Sequence, residues 1–329
     1  MKNIFFSFLL TLSLQAQIPE GKKVISNLYL YNIETGLSKL ILKEKRHFEA
    51  PNWIVNEKAL LINSNGKLEK ISLEGERLGI LDTDQITKCN NDHGYSFDGK
   101  TVFISSGKKE DKSHTSYIYK VAAEGGVPVQ ITPKTPSYWH GVSPDGKDIV
   151  YCAERNGNYD VYKMNVDGGE EIRLTSTEGL DDGPEYSPDG MYIYFNSFRT
   201  KQMQIWRMKP DGTQAEQMTF DNYSNWFAHI APNNSQAVLI SYIENQEDKH
   251  PFGRAVKLRL IDLETKKIKD LTDVFYGGQG TINVPSWSPD GLEFAYVINF
   301  DEKHTFNFFF DPTQIQNYIK ISKEEFFKP

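Results

Sequence analysis

Ser143-Pro144-Asp145-Gly146, Ser187-Pro188-Asp189-Gly190 and Ser288-Pro289-Asp290-Gly291 are three copies of one turn, and each opens onto an apolar run: Asp148 to Cys152, Tyr192 to Phe195 and Phe294 to Val297. Pro and Gly at fixed offsets mark a reverse turn with a defined backbone, so a recurring copy marks a recurring structural unit. Degenerate copies are Ser96-Phe97-Asp98-Gly99, Ala231-Pro232-Asn233-Asn234 and, most weakly, Ile54-Val55-Asn56-Glu57. Counted from their first residues, the six anchors are 42, 47, 44, 44 and 57 residues apart. That is the length of one four-stranded propeller blade.

Short β runs separated by turn residues fill the intervals, with no helical periodicity of useful length. Asp148–Ala153, Tyr159–Asn165 and Glu171–Leu174 are expected as successive strands, with Asp167-Gly168-Gly169 as a tight turn; Asn65-Gly66 is the strongest hairpin signal in the chain. Strands that follow an anchor are Ala59–Ile62, Val102–Ser105, Ile149–Cys152, Tyr192–Phe195, Val238–Ser241 and Phe294–Val297. Their partners begin one unit earlier, at Leu28–Ile33, and end at Lys257–Leu263. The first partner strand and the last anchor strand are therefore each unpaired unless they pair with one another. The expectation is an all-β fold, a six-bladed β-propeller over residues 24–310 closed by pairing of the N- and C-terminal strands. Phe306 to Phe310 would cover the last blade, ahead of a tail at 311–329.

Composition narrows the class. The chain has 329 residues, 39% hydrophobic and 25% charged, enough apolar material for a large core, which excludes a disordered tail protein. A net charge of −7 argues against a nucleic-acid partner or an anionic membrane surface. Cys89 and Cys152 are too few for a disulfide scaffold or a Cys-rich zinc site. At the start, Lys2, the uncharged run Ile4–Leu14 and Ser13-Leu14-Gln15-Ala16 read as a signal peptide over residues 1–16. Its apolar run is too short to span a bilayer, so a periplasmic or secreted protein without a membrane anchor is expected, as a monomer.

The Ser-Pro-Asp-Gly anchors, Trp53 and Trp287 just before two of them, and the Asp-Gly-Gly turn resemble the WD40-like repeat of TolB-type six-bladed β-propellers. TolB proper, a periplasmic component of the Tol-Pal envelope system, carries an α/β domain before its propeller. Here a short segment separates the leader from the first strand, so the resemblance implies the propeller without that domain. Asn225-Trp226-Phe227-Ala228-His229 and Gly277 to Trp287 also resemble segments of exported TolB-like proteins.

Repeat register identifies residues that share a face, because the loop entering an inner strand and the loop joining second and third strands open on the same side. Before the anchors lie His93, His140, Asp181, Asp182, Glu185 and His229; in the second-to-third-strand loops lie Lys108, Arg155 and Arg199. An enlarged loop from Glu244 to Arg254, with His250, accounts for the 57-residue interval. His93, His140 and His229, with carboxylates or Gln279, are candidate ligands for a divalent metal such as Mn or Zn; imidazoles bonded to the channel backbone are the alternative. Oligogalacturonate lyases are related in repeat style, and that resemblance implies manganese on a His/Gln axial cluster, although their closely spaced ligands have no copy here. Arg155 and Arg199 could grip a carboxylate or could only pair within the ring. Trp226 could stack on a sugar or fill the core.

No Gly-x-Ser-x-Gly, phosphate-binding loop, His-Glu-x-x-His or Cys-x-x-Cys is present. The chain is also too short for a propeller with an appended hydrolase domain. Two functions are therefore expected. The first is an exported binding protein taking a carbohydrate or envelope protein at the face of His93, His140, Arg155, Glu185, Arg199, Trp226, His229, His250, Arg254 and Gln279. The alternative is a metal-assisted polysaccharide lyase or glycoside-cleaving enzyme, with His140 and His229 as ligands or proton carriers.

Overall fold

A computed structural model describes residues 24–108 and 115–301. The described residues begin with β1 (Val24–Asn32) and β2 (Leu37–Glu44). Blade 1 follows as β3 (Glu49–Trp53), β4 (Ala59–Ser64), β5 (Lys67–Ser72) and β6 (Arg77–Ile80), and blade 2 as β7 (Cys89–Tyr95), β8 (Thr101–Ser106), β9 (Tyr117–Ala122) and β10 (Val129–Gln130). Blade 3 is β11 (Ser137–Val142), β12 (Asp148–Arg155), β13 (Asn158–Asn165) and β14 (Ile172–Arg173); blade 4 is β15 (Asp181–Tyr186), β16 (Ile193–Ser197), β17 (Gln204–Met208) and β18 (Glu216–Gln217). Blade 5 has β19 (Ser224–Ile230), β20 (Gln236–Tyr242), β21 (Phe252–Asp262), β22 (Ile268–Asp270) and β23 (Phe275–Gly278), and β24 (Glu293–Asp301) ends the described chain.

The sheets are antiparallel meanders, and the sixth has the order β2-β1-β24. β1 pairs with β24 without a break from Val24↔Asp301 to Asn32↔Glu293. The innermost position of that blade is held by Trp287, bridged to Phe294. The two ends of the ring thus close one blade, as the unpaired strands require. Tyr29 stacks on Tyr296 and Tyr31 on Phe294, each pair at 5.2 Å, so the closing seam is packed as well as hydrogen-bonded. Among the described residues no helix is long and apolar enough to cross a membrane.

The repeat turn has a clear physical basis. Ser143 donates its hydroxyl to Asp145 at 2.6 Å while its oxygen accepts from the Asp148 N–H at 3.0 Å, and Gly146 takes φ 72°. Ser96, Ser187 and Ser288 bond their own Asp in the same way. In the degenerate copies Asn234 (φ 60°) replaces the left-handed glycine, and Asn56 (φ 67°) takes the left-handed conformation one position earlier in its turn; Asn tolerates it better than most residues. Second strands such as β4 are buried on both faces, because each blade is packed between two neighbours.

A polar side chain nine residues after an anchor ties each of several blades to the next. Asn63 donates to the carbonyls of Cys89 and Asn90, Ser105 accepts from Trp139 N–H at 2.7 Å, Cys152 reaches Asp181 O at 3.5 Å, and Asn196 accepts from Phe227 N–H at 2.8 Å. These bonds satisfy inner-strand backbone groups exactly where bulges interrupt their ladders.

One boundary differs from expectation. The enlarged segment of blade 5 is not all loop: Phe252, Gly253 and Arg254 belong to β21, whose first half is paired by the extra strand β23. The extra length of this blade is divided between a longer strand and its added partner. The expected signal peptide at 1–16, the Phe306–Phe310 cover and the tail at 311–329 lie outside the described residues.

Candidate functional site

Five innermost strands, β3, β7, β11, β15 and β19, carry a bulge a few residues before the anchor. A bulge turns side chains that would otherwise alternate across the sheet, and here it gathers polar groups toward the axis. In β15 the bulge depends on Gly183, at φ 58°, where a Cβ would fall 2.5 Å from Asn196 Nδ2.

Asp182 is the centre of this group. Its Oδ1 accepts from Gly183 N–H at 2.7 Å and lies 3.1 Å from His140 Nε2; its Oδ2 lies 3.6 Å from His250 Nε2. Residues from blades 3, 4 and 5 therefore meet on one carboxylate. His250 Nδ1 donates to Gln279 Oε1, which also accepts from Asn283 Nδ2 at 3.2 Å. Phe227 stacks on His140 at 6.1 Å, and Trp226 meets His250 edge-on at 4.5 Å.

Titration follows from this geometry. Burial pushes Asp182 up, but the charges and hydrogen bonds of His140 and His250 outweigh it and hold the carboxyl well below the usual range. Burial works against a charged His140, yet Asp182 above all, with Asp92 and Glu185, raises its pKa. Asp92 goes the other way: burial pushes it up to about 6, reinforced by the charge of Asp182 and opposed by His140 and His250. Glu49 is pushed up to about 8 by burial and by Asp92. The axis thus holds one carboxyl shifted down, Asp182, beside two shifted up, of which Glu49 keeps its proton at neutral pH.

A second pair lies beside the first. His229 Nε2 faces Ile282 O at 2.8 Å, a pure acceptor, so that nitrogen carries a hydrogen; Nδ1 lies 2.6 Å from Glu185 Oε2, while Glu185 Oε1 accepts from Ile230 N–H at 3.1 Å.

The structure thus brings together His140, His250 and Gln279 around Asp182, and Glu185 with His229. His93 stands apart, fully buried, with burial lowering its pKa to about 4. Trp226 is 0% exposed and belongs to the core, so sugar stacking on it is corrected to packing. Arg155 is committed to Glu171 (2.9 and 2.7 Å), Pro136 O and Ser137, and Arg199 to Asp181 and Ser197, lying 4.5 Å over the Trp206 ring. Both pair inside their own blade, and neither is free to grip an anion. Arg254 is exposed and bonded to Gln246.

The residues do not fit the metal set expected of them. Among the described residues no three His, Cys, Asp or Glu side chains are placed to hold one metal ion: His140 faces Asp182, His229 faces Glu185, and neither ring nitrogen of His93 has a hydrogen-bond partner. The hydrogen on His229 Nε2 is held by a carbonyl, which leaves no lone pair there for a cation. Sequence reasoning passed over Asp92 and Glu49, although Glu49 stands five residues before its anchor in β3, as Asp182 does in β15, and Asp92 stands one residue nearer its anchor in β7.

Against known proteins, residues 135–309, over half the chain, match the TolB beta propeller domain family. An uncharacterized protein of Agrobacterium fabrum is 45% identical over 288 residues, 87% of this chain and 97% of that protein. The chain belongs to the TolB β-propeller family. A solved TolB-like structure from Agrobacterium tumefaciens superposes on this TolB-family propeller with a TM-score of 0.79, at 44% identity, over 84% of this chain and 99% of that one. An oligogalacturonate lyase solved with manganese matches at a TM-score of 0.50 and 15% identity, over 82% of this chain and 77% of that one. That likeness shows the fold alone.

Proposed function

We propose that this TolB-family propeller is an exported, monomeric binding protein that takes a carbohydrate at the axial face of Asp182, His140, His250 and Gln279. The observation that carries the reading is the convergence of His140 and His250 on Asp182, from three blades, together with two buried polar atoms on the inner strands of blades 1 and 2 that lack partners among the described residues, Glu49 Oε2 and Asn91 Nδ2. Such atoms are costly unless a ligand or water completes them. A mixed set of donors and acceptors suits hydroxyls, each of which both donates and accepts. The lyase alternative loses its uronate grip, because Arg155 and Arg199 are already paired.

Export is supported by Lys2, the Ile4–Leu14 run and the small residues ending at Ala16. Cell fractionation with N-terminal sequencing tests it, with a mature chain beginning after Ala16 as the expected result. For the ligand, a glycan array followed by calorimetry should give a saturable hit that Asp182→Asn and His250→Ala remove. Capture of an envelope protein in place of any glycan, lost in the same variants, would move the site to a protein partner.

A further inference from the structure

At the opposite mouth of the ring, beside the anchor turns, lies a cavity of about 330 Å³. Asn52, Tyr95, Gly141, Glu185, Ile230 and Pro285 all line it, one from each blade, so it sits on the axis. Strand direction sets its depth: Asn52 and Glu185 precede their anchors and form the floor, while Phe97, Pro188 and Pro289 belong to the anchors themselves and form the rim. Phe97 is 44% exposed, so its ring at the rim is open to contact with a guest. Trp53, Trp139 and Trp287 supply flat walls.

The floor and walls are not purely apolar. Asn52 donates its amide nitrogen to Pro285 O, and its amide oxygen is buried with no partner among the described residues. Tyr95 OH and Trp139 Nε1 are likewise buried and unpartnered. Glu185, the one charged group of the lining, is already engaged by His229 and the Ile230 N–H. No Lys or Arg lines the cavity. The complementary ligand is therefore uncharged and flat, with an N–H for Asn52 Oδ1 and an acceptor for the unused donors.

We infer that this anchor-side cavity is a second binding site, separate from the histidine face, for a small planar heteroaromatic molecule carrying both an N–H and a ring acceptor. The volume is at the lower end of ligand pockets, about 300–1,000 Å³. Ring faces favour a stacked guest, and one buried hydrogen bond gives selectivity over an apolar isostere of the same shape.

The test titrates benzimidazole, neutral at pH 7.5, into the full chain, following tryptophan fluorescence and heat. Indene, of the same shape without the nitrogens, is the control. Saturable benzimidazole binding is expected, with indene about tenfold weaker. Phe97→Ala should weaken benzimidazole several-fold with the unfolding midpoint unchanged, since the ring is at the rim, and His250→Ala should leave it unaltered. Absence of saturation overturns the inference, as does equal affinity for indene. Binding that is lost in His250→Ala and kept in Phe97→Ala would also overturn it, because it would place the guest at the other mouth.

Discussion

His140 Nε2 lies 3.1 Å from Asp182 Oδ1 across the seam between blades 3 and 4, with both side chains buried. A contact of this kind joins two radial units through charge, beside the neutral Cys152 to Asp181 O bond and the apolar packing of the same seam. Asp182→Asn leaves a buried imidazole whose charge is no longer matched, and breaking a buried pair in this way costs about 3–5 kcal/mol. Urea unfolding of the variant should show that loss. A wild-type midpoint would mean that the pair contributes nothing to closing the ring.

Glu49 gives the protein a pH dependence of definite sign. Its carboxyl, pushed up to about 8 by burial, stays protonated in the folded chain at pH values where the unfolded chain has released that proton. His47 and His93, both lowered to about 4 chiefly by burial, act oppositely, but only below their ordinary value of 6.5. Between pH 6.5 and about 8 Glu49 is therefore unopposed by them, the raised His140 acts in the same direction, and stability falls as pH rises, by roughly 1–2 kcal/mol from Glu49. Glu49→Gln should flatten that slope in chemical denaturation at stepped pH. Stability that climbs through this window would contradict the assignment.

Gly94 is required by a neighbour. A Cβ there would stand 2.3 Å from Trp139 Cη2; the indole is held by stacking on Phe103 at 5.7 Å, and the Trp139 backbone by its N–H bond to Ser105 Oγ. Gly94→Ala should lower stability by about 1–3 kcal/mol through overpacking. An unchanged melting temperature would show that the indole can move aside.

Arg155 and Arg199 should behave as structural residues. Arg155→Ala leaves Glu171 with only Tyr151 OH at 2.8 Å and Lys134 Nζ at 3.4 Å, and should cost about 1–3 kcal/mol while leaving ligand affinity at the histidine face unchanged. Calorimetry on the folded variant checks this. A selective loss of binding with normal stability would return the arginine to the site.

Much of the ring was legible because its signals are local. The Ser-Pro-Asp-Gly turns encode their own hydrogen bonds, and counting strands on either side of them requires that β1 meet β24, as it does. The site was legible only in part. Register placed His140, Asp182 and His229 near the axis, but whether a given arginine faces ligand or Glu171 depends on side-chain reach across strands, which register does not carry.

By itself the sequence determined the number of blades, the identity of the repeating turn and the way the ends close, since each follows from turn chemistry and a count. Tertiary structure alone decided which polar groups share the axis. Bulges rotate the innermost strands by amounts that no residue pattern states; burial then raises the pKa of both Asp92 and Asp182, and only the direct contacts of His140 and His250 with Asp182 reverse the shift there, although the two are the same amino acid.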